Sequence, residues 1–333
     1  MDPTFPDLDV CIQDVRSAVL SGERGPAVPQ SFNDLRGALE SARGTLPPLY
    51  DDKYYRPYVK TLDTLGPDGY LQILAQDPNL EGTAALLVDL ASAILQNAAG
   101  YRRDETDGFQ EVISDLYDGF LSAEDRRGVK PPDKGVIPPL VKWGNPNFGP
   151  YTFTISATSS FGVEAAVVSL PPAHAREGLM GWAALPHECA HDLLHADSGL
   201  HAALAGKVKA RLDSAKNPLA DYWADRIDET ASDVLGILNM GPAAGVGLIA
   251  YFRGLRLAVS GTDGLATKGP ARSAHPIDIL RAYLAAHAVS LLGFSGRKKW
   301  SDALWDLAEA SRQSGKISIG NQEVAQKAHG TDL

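Results

Sequence analysis

His187-Glu188-Cys189-Ala190-His191 is the stretch of sequence that most constrains this chain. On an α-helix the two histidines stand one turn apart on the same face, so both imidazoles can reach one cation, while Glu188 projects to the flank. A catalytic zinc ion lowers the pKa of its bound water towards neutrality, and a neighbouring carboxylate can accept the proton. The motif therefore predicts a hydrolytic zinc site in which His187 and His191 bind the metal and Glu188 is the base.

Pro186 directly precedes this motif and limits where its helix can begin. Inside a helix, proline removes a hydrogen bond and clashes with the preceding turn. Two arrangements are open: the metal-binding helix begins near Pro186, or a longer helix over 175–196 is kinked there. At this spacing Cys189 points away from a metal that its neighbours bind, so we predict that it is a thiol in the core.

A catalytic zinc site needs a third protein ligand, because the fourth position holds water. Glu229 is the strongest candidate, since Glu229 and Asp233 stand at i and i+4 on a predicted helix over 218–240. Glu229 would bind the metal, and Asp233 would accept the free ring N–H of a ligating histidine. Two other residues could be the third ligand, His195 and Asp197. His195 lies one turn beyond His191, but three ligands on one straight helix do not converge tetrahedrally. Asp197 could bind the same metal only if the chain turned sharply after His191, and the glycine that such a turn needs is absent.

The apolar periodicity predicts an α+β fold that is mostly helical. Short apolar runs before the metal motif, at 140–143, 151–156 and 163–170, predict a small antiparallel sheet. We expect an all-helical N-terminal domain over 1–126, followed by a catalytic domain. Residues 127–172 would form a linker and the small sheet of that domain, and residues 173–313 its helical part. Residues 314–333 would be a C-terminal tail or, at 316–319, would contain a strand that docks on the domain. Helices are predicted at about 8–20, 31–45, 68–76, 82–100, 106–123, 175–196, 199–214, 218–240, 243–259, 276–292 and 298–313.

Composition and charge are typical of a soluble globular protein, with a mean hydropathy of −0.14. Charged residues interrupt the apolar runs at 241–260 and 271–294, so we predict core helices and no membrane insertion. We see no signal sequence, and two cysteines cannot form a disulfide framework, so a cytoplasmic protein is expected. Residues 1–126 hold 10 Lys and Arg against 22 Asp and Glu, a net charge of −12. This acidity argues against nucleic acid or an anionic membrane as a partner.

His-Glu-x-x-His followed by Glu-x-x-x-Asp on a second helix resembles the signature of the gluzincin zinc metallopeptidases, the clan of thermolysin. The resemblance covers about 165–290 and implies a zincin-like catalytic domain. Residues 274–281, Ala-His-Pro-Ile-Asp-Ile-Leu-Arg, are similar to the His-Pro…Arg element of HtpX-type and CAAX-prenyl endopeptidases and of soluble minigluzincins. That similarity implies that His275 steadies an oxyanion and that Arg281 orients Glu229 or the substrate. A structural role stays open, with His275 beside a helix start at Pro276 and Arg281 in an ion pair.

The resemblance implies a soluble metallopeptidase with one catalytic zinc ion, which hydrolyses a peptide or protein substrate by a zinc-bound water that Glu188 activates. In gluzincins the strand before the metal helix forms the upper edge of the cleft, so a peptide is expected to pair with the strand that contains Val163, Ala165 and Val167. Tyr222 is a further candidate for the cleft and for the oxyanion. A zinc hydrolase of a non-peptide amide would use the same residues. A catalytically silent regulatory protein would not need Glu188. The oligomeric state is not indicated.

Overall fold

The computed structural model describes residues 3–80, 82–121, 137–196, 199–312 and 316–324, and within them it is mostly helical, as predicted. The strands form two three-stranded sheets and are β1 (Leu140–Trp143), β2 (Tyr151–Phe153), β3 (Val167–Leu170), β4 (Lys268–Gly269), β5 (Ile317–Ile319) and β6 (Gln322–Val324). The α-helices are α1 (Leu8–Leu20), α2 (Phe32–Ala42), α3 (Pro48–Tyr50), α4 (Arg56–Gln76), α5 (Thr83–Ala99), α6 (Arg103–Leu121), α7 (Ile155–Thr158), α8 (Leu185–Ala196), α9 (Leu200–Ser214), α10 (Ala220–Ala224), α11 (Ile227–Met240), α12 (Pro242–Ser260), α13 (Asp278–Ser290) and α14 (Arg297–Ala310).

Contacts between residues divide the chain into two units. Unit 1 comprises Met1–Ser21 and Arg176–Leu333, and unit 2 comprises Gly22–Ala175. Helix α1 belongs to unit 1, where Gly254 of α12 allows it a close approach, because a Cβ at Gly254 would lie 2.6 Å from the Cβ of Val15. Strands β1 to β3 belong to unit 2. The units therefore differ from the domains predicted with boundaries at 126 and 172: α1 lies outside the unit that contains the other N-terminal helices, and β1 to β3 lie outside the unit that contains the metal motif. The reason is that packing between segments remote in sequence determines the units.

The sheet of unit 2 has the strand order β1-β3-β2. Strand β3 is parallel to β1, with Leu140 opposite Val167, and antiparallel to β2. The prediction of a wholly antiparallel sheet is therefore wrong. Helix side chains hold this sheet in unit 2: the Gln96 amide of α5 donates to the carbonyl oxygen of Trp143 at 3.0 Å and accepts from its N–H at 2.7 Å. Tyr54 donates a hydrogen bond to the carbonyl oxygen of Ala166.

The predicted substrate-binding edge over 163–170 is also wrong. Val163 and Ala165 precede β3, and together with Val167 they are buried in the apolar core of unit 2. Strand β3 is the central strand of its sheet, so its backbone hydrogen bonds go to β1 on one side and to β2 on the other. A peptide can add only to an unpaired strand edge, and β3 does not offer one.

In unit 1 the metal motif lies on α8, which packs against α11, and α11 in turn packs against α13. A 3₁₀ helix at Leu179–Ala184 precedes α8, so the predicted single helix over 175–196 is in fact two elements. Of the two arrangements open for Pro186, the structure shows the first. Helix α8 begins at Leu185 and Pro186 lies in its first turn, where a missing N–H breaks no helical hydrogen bond.

The predicted helix over 218–240 is divided into α10 and α11 at Arg226. Arg226 has a non-helical backbone (φ −116°), and its guanidinium donates hydrogen bonds to the carbonyl oxygens of Tyr222 and Ala271. The predicted helix over 276–292 begins at Asp278, after Pro276. Within the predicted tail, β5 pairs with β4 and β6, while residues 313–315 and 325–333 lie outside the described residues.

In the described part of the chain, α12 is long and apolar enough to cross a membrane by length and composition alone. The bent pair Thr83–Ala98 and Arg103–Phe120, which meets at 114°, would qualify only if it counted as one span. Of the apolar window of α12, 44% is buried within the protein. One such helix is weak evidence for a membrane span, because core helices of soluble proteins share these properties.

Candidate metal centre

Gly236 sets the distance between the two helices that carry the centre. A Cβ at this position of α11 would lie 3.3 Å from the backbone nitrogen of His187 and 3.5 Å from the carbonyl carbon of Pro186. The two helices therefore approach with only a hydrogen atom of Gly236 between them. This contact places the first turn of α11, which contains Glu229, beside the histidine face of α8.

The three predicted metal ligands lie together in the structure. His187 Nε2 is 3.0 Å from His191 Nε2 and 3.4 Å from Glu229 Oε2, and His191 Nε2 is 3.8 Å from Glu229 Oε1. Zinc ligands stand 2.0–2.2 Å from the ion, so two ligands of a tetrahedral site lie about 3.4 Å apart. The observed separations scatter around that value. The three side chains therefore fit a zinc ion without rearrangement of the backbone.

Glu229 provides an independent test of this fit. Its side chain is 12% exposed, and its Oε2 atom is buried and accepts no hydrogen bond from any residue that the structure describes. A buried carboxylate oxygen without a donor is costly. The two cationic groups beside Glu229 Oε2 are His187, whose Nε2 is 3.4 Å away, and Arg281, whose Nη2 is 3.7 Å away, and neither donates a hydrogen bond to it. A cation held between Glu229 and the two histidines would satisfy this oxygen, so the donor set fits a metal ion.

Asp233 and Arg281 hold His187 in place. The Nδ1 atom of His187 is 2.9 Å from Asp233 Oδ1, so its Nε2 is directed at the ligand cluster. Arg281 of α13 donates two hydrogen bonds of 2.7 Å to Asp233, one to each carboxylate oxygen. Burial raises the pKa of Asp233, but Arg281 and His187 outweigh burial and keep this pKa well below its usual range. Asp233 is therefore a carboxylate, and it contacts the ring nitrogen of His187 that does not face the ligand cluster. Its role in orienting a metal ligand stays a prediction.

His191 has an equivalent partner that the sequence analysis missed. Its Nδ1 is 3.2 Å from Asp228 Oδ2 and 3.2 Å from the Ser232 hydroxyl. Burial raises the pKa of Asp228, but its contacts with His191 and His195 outweigh burial and lower the pKa to about 2. The i, i+4 spacing of Asp228 and Ser232 on α11 is the signal that would have revealed them. Both candidate ligand histidines thus have the second ring nitrogen beside a carboxylate, an arrangement that is usual for metal-binding histidines.

The same environment determines the proton on His187. Burial lowers the pKa of His187, but the carboxylates of Asp233 and Glu229 beside it outweigh burial and raise the pKa to about 10. Without a metal, His187 is therefore an imidazolium at neutral pH, which explains how Nε2 atoms of two histidines can lie 3.0 Å apart. A metal ion binds only the neutral ring, so it must displace this proton.

Glu188 follows His187 in the first turn of α8 and is 6% exposed. Tyr251 of α12 lies near it: burial raises the pKa of the Tyr251 phenol, and the charge of Glu188 raises it further. Tyr251 is a second residue that the sequence analysis missed, since nothing in an apolar helix distinguishes this tyrosine. Cys189 is fully buried, and burial raises its thiol pKa well above the usual value, in keeping with the predicted core thiol.

Of the other predicted residues, His275 contacts Glu229, and Tyr222 contacts the segment that follows His275. The His275 side chain is 63% exposed, and its Nε2 is 3.3 Å from Glu229 Oε1, so the His-Pro segment does reach the cluster. The Tyr222 hydroxyl accepts a hydrogen bond of 3.1 Å from the Ile277 N–H, and the Arg226 guanidinium covers the Tyr222 ring at 3.9 Å. Tyr222 thus fixes the segment that leads into α13. Its proposed role towards an oxyanion stays a prediction.

Of the two alternative ligands, His195 is described by the structure and does not join the cluster. His195 Nε2 is 3.1 Å from Asp228 Oδ1, and His195 forms a separate group with His201 and Asp228. Asp197 lies outside the described residues.

Comparisons of this chain with protein-family models, with curated proteins and with solved structures find no match.

Proposed function

We propose that this protein is a soluble zinc-dependent metallopeptidase whose ligands are His187, His191 and Glu229. The observation that carries the proposal is the convergence of three ligand atoms at separations of 3.0, 3.4 and 3.8 Å, in a cluster where Glu229 Oε2 lacks a hydrogen-bond donor among the described residues. The zincin-like fold, the peptide substrate and the cytoplasmic location, which two unpaired cysteines favour, are parts of the same proposal.

A zinc ion in this cluster would act as a Lewis acid that polarises a carbonyl group and lowers the pKa of a coordinated water. Glu188 supplies the general base, because it follows His187 in α8 and is a buried carboxylate. It accepts the proton of the attacking water and then delivers it to the leaving nitrogen of the substrate. Metal binding alone does not need Glu188, so this residue distinguishes a hydrolase from a protein that only binds zinc.

Arg281, Asp233 and Asp228 orient the ligands and do not contact substrate in this mechanism. Arg281 fixes Asp233, and Asp233 fixes the ring of His187, while Asp228 and Ser232 fix the ring of His191. His275 is the most exposed basic group in contact with Glu229, and this exposure supports a role in which it meets a substrate oxygen. Because β3 is paired on both sides, the surface that binds an extended peptide is one other than this strand.

The test compares wild-type protein with Glu188→Gln and Glu229→Ala by zinc content, from elemental mass spectrometry, and by cleavage of a mixed peptide library. Glu188→Gln should keep zinc and lose about 10²–10⁴-fold in rate, the usual contribution of a general base. Glu229→Ala should lose zinc. Glu177→Gln, an exposed glutamate of the same unit, is the matched control and should change neither quantity.

Wild-type protein without zinc, or equal cleavage by wild type and Glu188→Gln, would refute the proposal. Cleavage of simple amides in place of peptides, with the same dependence on Glu188, would keep the site chemistry and replace the peptide substrate.

A further inference from the structure

We propose that His195, His201 and Asp228 form a second divalent-cation site, separate from the cluster of His187, His191 and Glu229. Each of the three residues offers one ligand atom, and these atoms all lie within 4.8 Å of one another. The inference does not depend on peptidase activity, because it concerns metal binding alone.

Three different helices bring this second cluster together. His195 lies in the last turn of α8, His201 is the second residue of α9, and Asp228 is the second residue of α11. His195 Nε2 is 3.1 Å from Asp228 Oδ1, close to the separation of about 3.4 Å expected for two ligands of one zinc ion. The rings of His195 and His201 are stacked, with centroids 5.3 Å apart and an angle of 23° between their planes. A side-chain rotation of His201 would bring its nitrogen to the same ion.

The donors of the second cluster favour one class of cation. Two imidazoles and one carboxylate suit zinc and similar transition metals, whereas calcium and magnesium prefer sites made only of oxygen. Within the described residues, His201 forms no hydrogen bond that a metal would have to replace. Asp228 contributes one negative charge, and the two histidines bind as neutral rings, so the empty ligand set attracts a cation.

Exposure separates this site from the first. The side chains of His195 and Asp228 are 31% and 38% exposed, whereas those of His187 and Glu229 are 10% and 12% exposed. Water therefore reaches the second site and can complete the coordination of a bound ion. Solvation of the free ligands and their freedom to move make binding weaker there than in the buried cluster.

Asp228 couples the two sites. Its Oδ1 faces His195, while its Oδ2 is 3.2 Å from Nδ1 of His191, a ligand of the first cluster. A cation bound to Oδ1 reduces the negative charge of the carboxylate that contacts and orients His191. Occupation of the second site should therefore weaken metal binding at the first.

Zinc titration of the metal-free full-length protein tests the proposal, with the bound ions counted by calorimetry and elemental mass spectrometry. Wild type should bind two ions per chain, one tightly and one weakly. His201→Ala should lose the weak ion and keep the tight one. His187→Ala should do the reverse. His287→Ala, a partly buried histidine of α13 outside both clusters, is the matched control and should bind two ions.

A wild-type stoichiometry of one ion that His201→Ala retains would overturn the second site and leave the first intact. Two ions on His201→Ala would also overturn it. A single ion that His201→Ala loses and His187→Ala keeps would instead remove the proposed catalytic site and support the second. Cobalt added to protein already loaded with one zinc ion provides a second measurement: a visible absorption band should appear in wild type and be absent from His195→Ala. A band of equal strength in His195→Ala would contradict the ligand assignment.

Discussion

Replacing Arg281 with methionine should destabilise unit 1 by an amount that its contacts allow us to estimate. The Arg281 side chain is 6% exposed, and its two 2.7 Å hydrogen bonds are made to Asp233, whose side chain is fully buried. Methionine keeps an apolar stem to cover the ring of Phe252, over which the guanidinium lies at 4.6 Å. The main loss is therefore the charge that balances Asp233.

Removing one member of a buried ion pair costs about 3–5 kcal/mol, because the other charge stays buried without its partner. In Arg281→Met, His187 is still 2.9 Å from Asp233 and carries a proton at neutral pH, since its pKa is raised to about 10. This remaining pair compensates part of the loss. We therefore expect the lower end of the range, about 3 kcal/mol in the free energy of unfolding of the metal-free protein.

Urea unfolding of metal-free protein, followed by tryptophan fluorescence, measures this change, since four of the five tryptophans belong to unit 1. Arg253→Met is the matched control. Arg253 is 13% exposed, but its partners Asp263 and Asp9 are 53% and 86% exposed, so its loss should cost about 1 kcal/mol or less. If Arg281→Met cost no more than Arg253→Met, the argument that Arg281 neutralises a buried charge beside His187 would be wrong.

Three further predictions concern the metal cluster. Asp233→Asn should lower zinc affinity by about 10–100-fold in calorimetry, because His187 loses the carboxylate that orients it, and an unchanged affinity would contradict that role. Zinc binding should displace the proton of His187, whose pKa is raised to about 10. Zinc affinity should therefore increase about tenfold per pH unit up to about pH 10. Equal binding enthalpies in buffers of different ionisation enthalpy would exclude the proton release. Gly236→Ala places a Cβ 3.3 Å from the His187 nitrogen, so it should lower the free energy of unfolding by about 1–3 kcal/mol and weaken zinc binding. Gly206→Ala in α9 is the control: its Cβ has nothing within 4 Å, so it should raise the free energy of unfolding by about 1 kcal/mol. Equal effects of the two substitutions would refute the close contact of α8 and α11.

The local spacings in the sequence predicted the residues of the candidate site better than the boundaries of the fold. His187 with His191, and Glu229 with Asp233, are i, i+4 pairs within single helices, so helical geometry alone places each pair on one face. The sheet was predicted less well. Apolar runs identified β1 to β3, but an apolar run does not specify its neighbours, and the pairing of β3 with both β1 and β2 excluded the predicted substrate edge.

Sequence spacing did not identify residues that contact the candidate sites from positions remote in sequence. Asp228 is one position from Glu229, yet its contact with His191 depends on the rotation of α11 relative to α8. His201 and Tyr251 lie on other helices and belong to no motif. Their contacts with His195 and near Glu188 appear only when the helices of unit 1 are packed.

The sequence by itself determined the residue types of the candidate ligand set, the two helices that carry them and the mostly helical fold class, because these depend on spacing within a few turns of one helix. Only the tertiary structure decided that Glu229 meets the two histidines, that α1 packs in unit 1 and that β3 is an internal strand. The physical reason is that these contacts depend on how helix and strand surfaces fit together, as at Gly236, where the absence of a side chain allows α11 to approach His187.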